Sequence, residues 1–185
     1  MQTIHFKTTG PANTAKTLSL AGKRAKALGI KSVLVASTSG ATGVLAAKQF
    51  KGKNLVVVSH SAGFKEKGRQ EFKEEHRKEI ERLGGRVLTC QHALGGVNRA
   101  VRRKYNTTEM DEIIAHTLRL LGQGFKVSVE ISLMAADAGL ISTQEEAIAI
   151  GGSDSGADTA IVLTPANAQD FFELKVHEVL CKPRL

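Results

Sequence analysis

Two hydrophobic periods alternate along this chain. Thr3–Phe6 alternates with period two and predicts a short edge strand, broken by Gly10–Pro11. Leu18, Ala21, Ala25 and Leu28 then recur at helical spacing, with Lys16, Lys23, Arg24 and Lys26 around them. That pattern predicts a helix over Thr14–Leu28, capped by Asn13 or Thr14 and closed by Gly29. Ser32–Ala36 (SVLVA) and Asn54–Ser59 (NLVVVS) are short uninterrupted apolar runs, which fit strands buried on both faces of a parallel sheet. Between them lie the loop Ser37–Gly43 and a helix over Val44–Phe50, so the stretch reads as a βαβ unit.

The remainder continues in the same style. His60–Gly68 is a polar loop. Arg69–Leu83 reads as a charged helix whose inward stripe is Phe72, His76, Ile80 and Leu83, with Glu74–Lys78 as an i,i+4 pair worth about 0.2–0.5 kcal/mol. Gly84–Gly85 ends it, and Arg86–Thr89 is a third strand. After the loop His92–Gly96, Val97, Val101 and Tyr105 line one face of a helix that carries Arg99, Arg102, Arg103 and Lys104 mostly elsewhere. Thr107 or Thr108 caps the next helix, Glu109–Leu121. Val127–Asp137 fits both periods: KVSVEIS alternates like a strand, while Val127, Ile131, Met134 and Ala138 keep helical spacing before Gly139. Helix is the preferred reading. Ala147–Ile150, Thr159–Leu163 and Leu174–Leu180 read as strands, the first two joined by the tight turn Gly151–Gly156. Such a turn implies an antiparallel addition to an otherwise parallel sheet.

The chain of 185 residues suffices for one domain, and its 3 Pro and lack of a Ser/Gly tract leave no linker, so residues 1–185 are read as a single α/β domain. No apolar run reaches the roughly 20 residues of a membrane span, and the N-terminus has no apolar signal core. A cytoplasmic protein with no membrane partner is therefore expected. Cys90 and Cys181 show no metal-ligand spacing and read as half-buried free thiols. Charge changes the picture more. The net charge is +8, but residues 1–104 carry 21 Lys and Arg against 6 Asp and Glu, and residues 105–185 carry 5 against 12. A positive face of this kind concentrates anionic ligands. Nucleic acid is disfavoured as a partner, because 8 aromatics with no Trp make no stacking platform and no finger or helix-turn-helix is evident.

Two segments invite chemistry. Ser37-Thr38-Ser39-Gly40-Ala41-Thr42-Gly43 leaves a buried strand and opens a helix, where unpaired amides, the helix dipole and hydroxyls suit a phosphate. It is neither a P-loop nor a GxGxxG loop. A hydroxyl-capped turn without a ligand has the same pattern. Gly151-Gly152-Ser153-Asp154-Ser155-Gly156-Ala157-Asp158-Thr159 is either a hairpin turn or a lip over the same ligand. Asp154 and Asp158 lack the spacing of a calcium loop, so no metal is expected. Asp158 is read as bonding a ligand hydroxyl or ring edge, or as capping its own turn. His60 and His92 follow strands and are the candidate general bases, although plain loop histidines fit equally. Glu130 would need a partner if its segment is interior.

The stretches AGKRAKALGIKSVLVASTSGATG, VVVSHSAGF, GQGFKVSVEISLMAADAG and IAIGGSDSGADTAIVLTPANAQDFFELKVHEVLCKPR span almost the whole chain. With them the chain resembles stand-alone proteins built on the pyruvate kinase C-terminal α/β domain. The resemblance implies a three-layer α/β/α sandwich around a mostly parallel mixed sheet, with an antiparallel strand near the C-terminus. In pyruvate kinase that domain holds a sugar phosphate on a loop placed like Ser37–Thr42. The chain has no room for a (β/α)₈ barrel, which needs roughly 200 residues of its own, so pyruvate kinase activity is not expected. The stand-alone relatives are associated with flavin mononucleotide. Carried over, Ser37, Thr38, Gly40, Ala41 and Thr42, with Ser39 between them, would hold its phosphate. The turn of Gly151, Gly152, Ser153, Gly156, Ala157, Asp158 and Thr159 would approach the ring or ribityl chain. The function expected is binding of a phosphorylated small molecule. The alternatives are a flavin-dependent or other enzyme, drawing on His60, His92 and Asp158, and nucleic-acid binding by the basic half. A homo-oligomer is compatible with this reading if Val127–Ala138 lies at a subunit interface.

Overall fold

A computed structural model describes residues 2–184. Its strands are β1 (Ile4–Phe6), β2 (Ser32–Ala36), β3 (Asn54–Val58), β4 (Arg86–Leu88), β5 (Ala147–Gly151), β6 (Thr159–Thr164) and β7 (Lys175–Pro183). They form one mixed sheet in the order β1-β7-β6-β5-β2-β3-β4. The block β5-β2-β3-β4 is parallel, and β6 runs antiparallel to both β5 and β7. β1 pairs in parallel with β7.

The apolar runs explain the layers. Alternate residues of β2 face opposite sides: Val33 and Val35 pack with helices α1 (Thr14–Leu28), α2 (Ala41–Gln49) and α3 (Glu74–Arg82), whereas Leu34 packs against α6 (Gln123–Asp137). Both faces are covered, as uninterrupted apolar strands require. The result is the expected α/β/α sandwich. The α6 segment resolves the ambiguity of Val127–Asp137 in favour of helix, and twelve of its 15 residues are buried. It therefore lies in the core of the chain, one of the two places the sequence left open for it.

Other boundaries moved for local reasons. α2 begins at Ala41 rather than Val44, so Ala41, Thr42 and Gly43 form its first turn. α3 begins at Glu74 rather than Arg69. The Gln70 side chain accepts the Phe72 N–H at 2.9 Å, and the Lys73 N–H bonds Ser39 O at 3.1 Å. These bonds hold residues 70–73 out of the helix while Phe72 still enters the core. The expected Glu74–Lys78 pair does not form; Glu74 lies 3.7 Å from Arg77 instead. In α5 (Met110–Leu118) the cap is Glu109, in a reciprocal box with Glu112, not Thr107 or Thr108. A 3₁₀ turn, Arg119–Leu121, follows. Cys181 is fully buried rather than half-buried, and burial pushes its thiol up to about 11. Among the described residues, no helix is long and apolar enough to cross a membrane.

Candidate ligand-binding cavity

The carboxyl ends of β2, β3 and β5 open onto a cavity of about 860 Å³, the usual ligand position in an open α/β sheet. Ser37, Thr38, Ser39, Ala41 and Thr42 line one side of it, and Gly152, Asp154, Ser155 and Gly156 another. The two segments singled out in the sequence therefore face a common space, although more than 100 residues separate them in the chain.

Local geometry explains how the first segment is held. Gly40 is the N-cap of α2, with φ +94°. A Cβ there would lie 2.5 Å from the His76 Cβ, so glycine is required both for the backbone and for the approach of α3. Ser39 O accepts bonds from the Lys73 N–H and from His76 Nδ1 at 2.8 Å. The Ser37 hydroxyl accepts the Gly43 N–H at 3.3 Å, so it caps α2 itself. Among the described residues, the hydroxyls of Thr38 and Thr42 have no protein hydrogen-bond partner, and both residues line the cavity. Gly40 lies behind the loop rather than on the cavity wall.

The second segment divides. Gly151, Ala157, Asp158 and Thr159 are buried behind the turn, and Ser153 also lies off the cavity wall. Asp158, fully buried, accepts the N–H groups of Gly10 (3.0 Å) and Ser153 (3.2 Å) and the Thr159 hydroxyl (2.9 Å). Its carboxylate ties the turn together and to the start of the chain. The Thr14 hydroxyl adds a bond from the Ala157 N–H at 3.0 Å. Asp158 thus serves its own turn.

The opposite wall comes from α6 and was not read from the sequence. Val127, Ile131 and Met134 supply an apolar surface, and Lys126, Glu130, Arg99 and Arg119 supply charge. Lys126 Nζ donates to Glu130 Oε2 at 2.5 Å, with both residues buried. Glu130 Oε1 also accepts the Leu94 N–H at 3.1 Å, and His92 Nδ1 lies 3.7 Å from Oε2. Burial alone would raise the Glu130 carboxyl. His92 beside it and the Lys126 ammonium outweigh that effect and hold it at about 2. Lys126 is pushed below the usual ammonium value by burial; Glu130 opposes the shift, and Arg119 and Arg99 add to it. The spacing of Lys126 and Glu130, four residues apart in a helical reading, was the available signal for this pair.

The two candidate histidines do converge here. His60 Nδ1 is 2.9 Å from Glu71 Oε2, Lys65 is 3.1 Å from the same carboxylate, and the rings of His60 and His92 are 5.4 Å apart. Phe64 stacks on the His92 ring and lies tilted against the His60 ring, and the Arg99 guanidinium lies 4.6 Å over Phe64. Burial tends to raise the Glu71 carboxyl, but the bonds from His60 and Lys65 keep it below its usual range. Among the described residues, no group of three His, Cys, Asp or Glu side chains could hold a metal ion.

Comparison with known proteins places this architecture. Solved pyruvate kinases from Cryptosporidium parvum are similar in structure. One shares 14% identity over 82% of this chain and 22% of its own, with a TM-score of 0.42. Another, in complex with ADP, shares 15% identity over 89% of this chain and 23% of its own, with a TM-score of 0.38. The chain thus spans less than a quarter of the length of those enzymes. The family model described as "Pyruvate kinase, alpha/beta domain" matches residues 15–163. The chain belongs to the pyruvate kinase α/β-domain family.

Proposed function

We propose that the cavity binds a phosphorylated small molecule, with flavin mononucleotide the expected ligand, and that the chain does this without acting as a pyruvate kinase. One observation carries the proposal: the free hydroxyls of Thr38 and Thr42, beside the first turn of α2, share one cavity with Lys126, Arg99 and Arg119. Hydroxyl donors and helix amides recognise phosphate oxygens. Four cations on the wall, Lys65, Arg99, Arg119 and Lys126, face three carboxylates, Glu71, Glu130 and Asp154, and the excess favours an anionic guest.

The residues present also suit the rest of a flavin. Val127, Ile131 and Met134 offer an apolar surface to a ring system, and the volume lies within the about 300–1,000 Å³ usual for ligand pockets. Thr38 and Thr42 would hold the phosphate, and Gly152 and Gly156 would lie against the chain or ring. Such a group would supply visible absorbance and redox chemistry. The residues themselves bind, orient and shield it.

Thr38→Val and Thr42→Val remove hydroxyls that bond no protein group among the described residues, so they separate binding from folding. Each is expected to weaken flavin mononucleotide binding by about 1.5–3 kcal/mol, roughly 10- to 150-fold, with the melting temperature nearly unchanged. Calorimetric titration checks this. Unaltered affinity in both variants would place the phosphate elsewhere. A catalytic reading has one observation in its favour: His60 is oriented by Glu71 and lines the cavity, the arrangement of an acid–base residue.

A further inference from the structure

We propose that a second cavity, beside the first, is an anion site that binds a diphosphate group. The cavity measures about 710 Å³. It is walled by the loops that follow β3 and β4 and by α4 (Val97–Tyr105). Phe64, His92 and Arg99 line both cavities, whereas Gly95, Gly96, Arg103 and Lys104 line only this one. Its position at the carboxyl ends of two parallel strands is again where ligands gather in an open α/β sheet.

Unbalanced charge is the observation that points to the guest. Arg99, Arg103 and Lys104 line the cavity, and no carboxylate does. Among the described residues none of these three cations is in an ion pair. Arg102 on the same helix, which lies off the cavity wall, is tied to Glu112 at 2.9 Å. α4 itself contains no acid and buries no residue. Like charges four residues apart on a helix repel, so Arg99 and Arg103 weaken the free helix, and no packed face offsets the loss. A bound anion removes that repulsion.

The geometry suits phosphate oxygens. The Arg99 guanidinium is held 4.6 Å over the Phe64 ring. It lies so close to the loop that a Cβ on Gly95 would be 2.9 Å from its Nη2. The first turn of α4, with no acid and no capping side chain, opens on the same space. Arginine forks bind phosphate in pairs of hydrogen bonds, and lysine adds a point charge. One phosphate monoester carries only about −1.5 to −2 at neutral pH. Two linked phosphates match three cations better. The volume is also within the about 300–1,000 Å³ of ordinary ligand pockets.

Calorimetric titration of the full chain with inorganic pyrophosphate tests the proposal. Binding is expected with a Kd below about 1 mM, and orthophosphate is expected to bind at least about 10-fold more weakly. Arg103→Gln with Lys104→Gln, both exposed, should weaken pyrophosphate binding by about 10- to 100-fold and leave the melting temperature and flavin mononucleotide titration unchanged. Thr42→Val should leave pyrophosphate binding unchanged, so this proposal and the flavin reading can fail separately. Amide exchange in residues 97–105 should slow when pyrophosphate is added. Absence of heat up to about 10 mM pyrophosphate, equal affinity for sulfate, or a double variant that binds like the wild type would each overturn the proposal. So would loss of pyrophosphate binding in Thr42→Val, which would put the anion in the first cavity. Binding of an oligothymidylate without binding of pyrophosphate would overturn it too, and would make α4 a nucleic-acid surface.

Discussion

Glu130→Leu is expected to destabilise the fold by about 3–5 kcal/mol, because it leaves the buried Lys126 ammonium without the carboxylate it bonds. It also orphans the Leu94 N–H. Lys126 then faces Arg99 and Arg119 alone, both of which already disfavour its charge. Urea denaturation at neutral pH measures the loss. The paired variant Lys126→Met/Glu130→Leu removes both charges and should recover most of it. A single variant within about 1 kcal/mol of wild type, or a double variant no better than the single, would contradict the buried pair. The pH dependence has a defined sign. The Glu130 carboxyl sits at about 2 in the folded protein against an ordinary 4.5, so its contribution is complete above about 4.5 and is lost as pH falls towards 2. The gap between wild type and Glu130→Leu should narrow by about 3 kcal/mol across that window.

Gly151→Ala is expected to cost about 3 kcal/mol, the upper end of the usual range for a forced clash. A Cβ at Gly151 would lie 2.2 Å from the carbonyl oxygen of Gly124, and neither group is on a flexible side chain. The collision wedges the first turn of α6 away from the end of β5, where the cavity opens. Gly22→Ala is the matched control. There the new Cβ meets the Gln49 amide at 2.9 Å, which can swing aside, and alanine favours the helix by about 1 kcal/mol. Thermal melts should separate the two variants clearly. Equal melting temperatures would mean that α6 and β5 are not in such close contact.

These two sites also mark where the sequence was readable and where it was not. The strands β2 and β3 were legible because burial on both faces leaves no polar position in their centres. The position of the loop Ser37–Thr42 was legible because a hydroxyl-rich turn after a buried strand opens a helix at the carboxyl end of the sheet. The wall formed by α6 was obscured. Lys126, Ser128, Glu130 and Ser132 give KVSVEIS its strand-like alternation, yet all four are buried. Ser128 and Ser132 donate to Gly124 O and Val129 O, and Lys126 and Glu130 neutralise each other. Polarity satisfied within a helix looks, in sequence, like a solvated face. Arg99 and Arg119 were hidden for the opposite reason: they sit among other basic or surface positions, and only the fold brings them to the cavity. Residues 69–73 were misread as helix because Phe72 keeps the right spacing while its backbone is held by Gln70 and Ser39.

The central claim, that the cavity recognises a phosphate on a flavin-like body, is tested most directly by comparing flavin mononucleotide with riboflavin in calorimetric titrations of the wild-type protein. The two ligands share the ring and ribityl chain and differ in the phosphate. Flavin mononucleotide is expected to bind, and riboflavin to bind at least about 100-fold more weakly, since two or more charge-assisted hydrogen bonds are lost. Equal affinity for both, or no heat with either up to millimolar concentration, would contradict it.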